Sequence, residues 1–119
     1  MNNFRLPYHL IVQEGIFEHV DEVMADCVPD IKNKKVIIVT DANLQKLFGK
    51  IIDALQADFN KSEVYLVQNN YFEDAVELAK YACMNNINVI IGFGGGTVLD
   101  LAKYAAFVSK SIYLCLPTT

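Results

Sequence analysis

The sequence has no uninterrupted run of about 20 apolar residues, the length a membrane-spanning helix needs. Its richest apolar stretch is cut by Asp100 and Lys103, so no membrane partner is expected. The N-terminal Met1 to Arg5 carries one basic residue and no apolar stretch of the signal-peptide kind, so a cytoplasmic location is expected. Basic clusters are scarce too. Apart from the short Lys32, Lys34, Lys35 group there is none, and 10 basic against 14 acidic residues leave a net charge of −4. No nucleic-acid partner is expected on that balance.

Cysteine and histidine are also few. Cys27, Cys83 and Cys115 are odd in number and far apart, without the close pairing of a zinc ribbon or a redox site. Each stands among apolar neighbours, so all three are expected to act as small core hydrophobes. His9 and His19 are ten positions apart on segments of different type and do not make a local two-histidine metal motif. No metal ligand is expected from this segment. Repeats, low-complexity tracts and Gly/Ser linkers are likewise missing.

What is present is apolar. Of the 119 residues, 53% are hydrophobic and the mean hydropathy is +0.24, high for a small free-standing domain. Five runs read as strands: Tyr8 to Gln13, Val36 to Val39, Val64 to Val67, Asn88 to Gly92 and Ile112 to Leu116. Between them, apolar residues recur at helical spacing. A first stripe holds Ile16, Phe17, Val20, Val23, Met24 and Cys27, a second Leu44, Leu47, Phe48, Ile51, Ile52 and Leu55, and a third Phe72, Ala75, Val76, Ala79, Ala82 and Cys83. Asn70 and Glu73 form a capping pair before the third. A fourth helix, Gly96 to about Val108, has almost no polar face and is expected to be buried nearly all round. The alternation predicts an α/β fold, a doubly wound and mainly parallel sheet with helices on both faces.

The sharpest local signal is Gly92-Phe93-Gly94-Gly95-Gly96-Thr97, where a buried strand hands over to a helix. Glycines there let the backbone turn and approach a ligand closely. The unpaired N–H groups and the dipole of the following helix favour a phosphate. The loop is not a Walker motif, because Gly96 is followed by Thr97 and Val98 rather than Lys and Ser/Thr. Nor does it fit the dinucleotide fingerprint GxGxxG, which wants glycine where Thr97 stands and an acid where Pro117 stands. Asp41 follows the second strand, where a carboxylate can hold a ribose hydroxyl pair or simply cap a helix. Asp100 and Lys103 can form a helical ion pair, but in so apolar a helix they are expected to turn toward a polar cleft.

The run Gly94-Gly95-Gly96-Thr97-Val98-Leu99-Asp100-Leu101-Ala102-Lys103, then an apolar strand ending in Pro117-Thr118-Thr119, resembles the dehydroquinate synthase-like superfamily. This group includes iron-type alcohol dehydrogenases, glycerol dehydrogenases and glycerol-1-phosphate dehydrogenases. The Lys103-Tyr104-Ala105-Ala106 continuation is most similar to the last of these. The resemblance implies a Rossmann-like N-terminal domain over residues 1–119 that binds NAD or NADP. It assigns Gly94, Gly95, Gly96 and Thr97 to the cofactor pyrophosphate and Asp41 to the adenosine ribose. Asp100 and Lys103 fall near the nicotinamide, and Thr118 and Thr119 at the cleft mouth. Thr97 occupies a position that varies among relatives.

The same resemblance implies that a helical C-terminal domain, absent from this sequence, holds a divalent metal, expected to be zinc. It further implies a polyol or polyol-phosphate substrate and a homo-oligomer for the full-length enzyme. No catalytic residue is expected in this segment, and the 119-residue chain alone is expected to be inactive. Two other readings stay open: a dehydroquinate-synthase-like lyase that uses NAD transiently, and a nucleotide-binding fragment without catalysis.

Overall fold

The structure is a computed structural model that describes residues 8–9, 28–68 and 70–118. Its core is a five-stranded sheet formed by β1 (Tyr8–His9), β2 (Lys35–Thr40), β3 (Lys61–Leu66), β4 (Val89–Gly94) and β5 (Ile112–Pro117). The spatial order is β1-β5-β4-β2-β3, and every neighbouring pair is parallel. The helices are α1 (Ala42–Leu47), α2 (Gly49–Ala57), α3 (Tyr71–Met84) and α4 (Gly96–Ser109). The expected first helical stripe and Cys27 lie outside the described residues, as does the remainder of the first strand.

The Val-Ile-Ile-Val of β2 and the Val-Ile-Ile of β4 are buried on both faces, which is why alternation is missing from their sequence. Ile37, Val39, Ile90, Tyr113 and Cys115 face one layer, where α3 and α4 close the core with Leu78, Ala79, Leu101, Ala102 and Ala105. Val36, Ile38, Val89, Ile91, Phe93, Leu114 and Leu116 face the other, packed with Ile52 and Leu55 of α2 and with Val28 and Ile31. The doubly wound, parallel architecture read from the sequence is the one observed.

Several local expectations are corrected. β3 begins at Lys61, three residues before the expected Val64, because it pairs residue for residue with β2 from Lys35↔Lys61 onward. Its outer edge faces solvent, so its first half is polar. The second stripe is two helices, broken at Phe48 ahead of Gly49. There the Phe48 ring turns in to meet Phe93 edge-on, with centroids 5.7 Å apart, while Leu47 is turned out and 74% exposed. On α3 the buried line is Ala75, Leu78, Ala79 and Ala82; Phe72, Val76 and Cys83 lie outside it and are exposed. Cys115 is buried as expected, so the core-hydrophobe reading holds for it and fails for Cys83.

The fourth helix is not buried all round. It buries Val98, Leu101, Ala102, Ala105 and Ala106, and it exposes Tyr104, Phe107 and Val108. Two helices on one sheet face leave each helix an outer side, and on α4 that side is polar at its start, with Thr97, Asp100 and Lys103, and apolar toward its end, with Tyr104, Phe107 and Val108.

Candidate functional site

The chain leaves β2 for β3 on one side, then crosses back to place β4 on the other side of β2. The direction of winding therefore reverses between β2 and β4. The helices that follow β2 and β4 pack on opposite faces of the sheet, and the carboxyl edge at such a reversal is where open α/β sheets bind ligands. The register Val39↔Gly92 runs up to this edge and, extended by two residues, sets Asp41 level with Gly94. Gly94 in turn pairs with Pro117 on β5. The Asp41, Gly94–Thr97 and Thr118 segments, distant in sequence, are thus gathered at one edge. Thr119 lies outside the described residues.

Each segment has a local reason for its geometry. Asp41 is extended and caps α1, its Oδ1 accepting the Leu44 N–H at 2.8 Å. Its Oδ2 has no hydrogen-bond partner among the described residues and can accept from another donor. The helix-cap and the ligand-contact readings of this residue are therefore compatible. Thr40, the residue before it, is fully buried, and its Oγ1 has no hydrogen-bond partner among the described residues.

The three glycines do different things. Gly94 is still in the strand, with φ +158°, and a Cβ there would stand 3.0 Å from Leu44 Cδ1 and from Val98 Cβ. Its missing side chain lets α1 and α4 converge. At Gly95 and Gly96 a Cβ would meet none of the described residues within 4 Å, so packing among them does not call for glycine at these two positions. They leave the backbone open to close approach from outside.

α4 has no side-chain cap at Gly95, and its first ladder bond runs from Leu99 N–H to Gly95 O at 3.0 Å. The N–H groups of Gly96, Thr97 and Val98 precede that bond and have no helical acceptor. With the positive end of the helix dipole they form a site for an anion. Thr97 is exposed beside them. The Thr118 N–H donates to Gly94 O at 3.1 Å and ties the end of β5 to the loop.

Asp100 and Lys103 are both exposed on α4. No ion pair joins them among the described residues. The described residues also contain no group of three or more His, Cys, Asp or Glu able to hold a metal. None of the described helices is long and apolar enough to cross a membrane.

Sequence reasoning missed Leu44 and Val98, which shape the space around Gly94, and Tyr113, whose hydroxyl donates to Leu99 O at 2.9 Å beneath the first turn of α4. A lone tyrosine in an apolar strand was the available signal, since a buried phenol needs a partner. Burial is the first cause holding the Tyr113 phenol well above its ordinary value of 10.0, with Cys115 and Asp100 adding to it. Elsewhere, in the depression between β3 and α3, the Tyr65 hydroxyl lies 2.9 Å from Glu77 Oε1 and 3.1 Å from Asp74 Oδ1, with one proton to share between the two acceptors. Asp74 also accepts the Gln68 N–H at 2.8 Å, which shapes the loop between β3 and α3.

The description of the iron-containing alcohol dehydrogenase family matches residues 7–118. The chain belongs to this family. Among curated relatives, a glycerol-1-phosphate dehydrogenase [NAD(P)+] of Hyperthermus butylicus is 24% identical over 119 residues, covering 100% of this chain and 34% of the relative. A glycerol-1-phosphate dehydrogenase [NAD(P)+] of Thermoplasma acidophilum is 31% identical over 115 residues, covering 94% of this chain and 31% of the relative. The chain therefore spans about a third of the length of the curated relatives it matches. Solved structures with the same fold include glycerol dehydrogenase from Schizosaccharomyces pombe (TM-score 0.69, 22% identity, 98% of this chain and 30% of that one). Another is an iron-containing alcohol dehydrogenase from Corynebacterium glutamicum (TM-score 0.69, 19% identity, 99% and 32%).

Proposed function

We propose that this family member is the dinucleotide-binding part of a nicotinamide-dependent, metal-dependent dehydrogenase that acts on a polyol or polyol phosphate, of the glycerol-1-phosphate type. One observation carries the reading: the capless N-terminus of α4, reached across two glycines that none of the described residues crowds, stands at the winding reversal beside Asp41. Family membership and the activity of the glycerol-1-phosphate dehydrogenase [NAD(P)+] relatives support the choice of nicotinamide dinucleotide and of substrate class.

In this reading the N–H groups of Gly96, Thr97 and Val98 receive the pyrophosphate, Gly95 and Gly96 keep the approach clear, and Gly94 sets the course of the loop. Asp41 Oδ2 accepts from the adenosine ribose hydroxyls while Oδ1 keeps α1 capped. The orphaned Thr40 hydroxyl, one residue away, is a further polar group at the same edge. Asp100 and Lys103 belong to the nicotinamide end, and Thr118 and Thr119 to the mouth of the cleft. The residues fit the cofactor. When bound, it supplies the hydride chemistry, and this chain's part is to bind and orient it.

The metal, zinc or a similar divalent ion, and the groups that polarise the substrate belong to a further helical domain of a relative-length protein. The full-length enzyme is proposed to be a cytoplasmic homo-oligomer.

The test is titration of the purified protein with NAD, NADP, ADP and adenosine while following backbone amides by NMR. The expected result is saturable shifts of Gly94 to Thr97 with the phosphate-bearing ligands, and shifts near Asp41 with all four. Amides at Gly94 to Thr97 that ignore NAD, NADP and ADP alike would overturn the proposal.

A further inference from the structure

Beneath the proposed anion site, β4, α4 and β5 meet with no space for a methyl group. A Cβ on Gly92 would stand 3.1 Å from Ala102 Cβ, 3.2 Å from Leu99 Cδ2 and 3.4 Å from Tyr113 Cε1. The Tyr113 side chain, 8% exposed, fills the floor of this junction, and its hydroxyl donates to Leu99 O at 2.9 Å. Leu99 is also the residue whose N–H makes the first ladder bond of α4, to Gly95 O at 3.0 Å. One residue thus joins the loop through its N–H and the sheet through its carbonyl. The Leu99 carbonyl stands four residues before Lys103 and is already the ladder acceptor for that N–H, so the phenol is a second, off-axis donor. Such a bond acts on the tilt of the first turn.

We infer that Tyr113 is a positioning residue for the anion site: through Leu99 it holds the first turn of α4 at the angle from which the Gly96, Thr97 and Val98 amides converge on a phosphate. The inference rests on the dinucleotide reading above. Phenylalanine would fill the same volume, so core packing alone does not call for the hydroxyl. Its distinct contribution is the one directed bond to Leu99.

The experiment is Tyr113→Phe in the purified protein, with ADP and adenosine titrated calorimetrically into variant and wild type. Loss of one directed hydrogen bond behind the site is expected to weaken ADP by about fivefold and to leave adenosine, which carries no phosphate, within about twofold. An unchanged ADP affinity overturns the inference. An equal loss for ADP and adenosine overturns it as well, since that is the mark of general loosening. Wild-type protein that fails to bind ADP overturns the dinucleotide reading and this inference with it, an outcome distinct from the other two. A second measurement needs no variant. With ¹³C-labelled tyrosine, the Tyr113 ring resonance of the wild type is expected to move on saturation with ADP and to stay in place with adenosine. A ring unmoved by ADP refutes the role even if the Phe variant does not fold.

Discussion

The Leu44 side chain stands in the space that Gly94 leaves open: a Cβ on Gly94 would lie 3.0 Å from Leu44 Cδ1. The contact joins the first turn of α1 to the end of β4 across the winding reversal. It makes the position of the Asp41 cap and the course of the glycine loop depend on one another.

Alanine substitutions along the loop are therefore expected to separate packing from ligand approach. Gly94→Ala puts a side chain at φ +158° and against Leu44 and Val98, and is expected to cost about 1–3 kcal/mol in denaturant unfolding. Gly95→Ala enters open space at φ −86° and is expected to cost under about 1 kcal/mol, while weakening ADP by crowding the approach. Equal destabilisation by the two changes would contradict this division.

Asp41 has two roles that chemistry can separate. Asp41→Ala removes the acceptor for Leu44 N–H and is expected to cost about 1 kcal/mol of stability. Asp41→Asn keeps a side-chain oxygen for the cap, so its unfolding midpoint is expected to stay close to wild type. Both changes are expected to weaken NAD and adenosine, because neither leaves a carboxylate for the ribose. An Asn variant that binds adenosine as tightly as the wild type removes Asp41 from the site.

The phenols of Tyr65 and Tyr113 are raised above 10.0, in both cases first by burial. A raised acid keeps its proton in the folded state at a pH where the unfolded chain has lost it. Its stabilising contribution is full below pH 10 and is lost progressively as pH climbs above it. Unfolding midpoints followed by circular dichroism are accordingly expected to fall from about pH 10 upward. Tyrosine absorbance at these two positions should rise only together with unfolding. Tyr113→Phe is expected to flatten the decline, and a decline identical in wild type and variant would exclude Tyr113 as a source.

The outer side of the α3 and α4 pair exposes Phe72 (75%), Met84 (73%) and Phe107 (83%). The chain is therefore expected to bind the apolar-surface dye ANS in its folded state or to self-associate. Phe107→Ser is expected to reduce dye binding and to change stability by less than about 0.5 kcal/mol, since the side chain touches little of the core. Dye-silent, monodisperse wild-type protein would count against an accessible patch.

Sequence by itself determined the order and type of the elements. The Val-Ile-Ile-Val of β2 is a short β-branched run, too short for a helix, and Ala75, Ala79 and Ala82 on α3 step by four and three, the helical spacing. It also located the glycine loop and Asp41 on the segments that follow two different strands, because a glycine triplet between a strand and a helix has few other uses.

Tertiary structure decided which side of an apolar helix is covered. On α4 the choice between burying Leu101 and burying Phe107 depends on the sheet and on α3, and no periodicity within the helix contains that information. It decided the break at Phe48, which comes from an aromatic partner 45 residues away in sequence at Phe93. It brought Leu44, from the helix after β2, against Gly94 at the end of β4. It also brought Tyr113 under Leu99, a hydrogen bond between residues 14 apart that only the return of the chain from α4 to β5 makes possible.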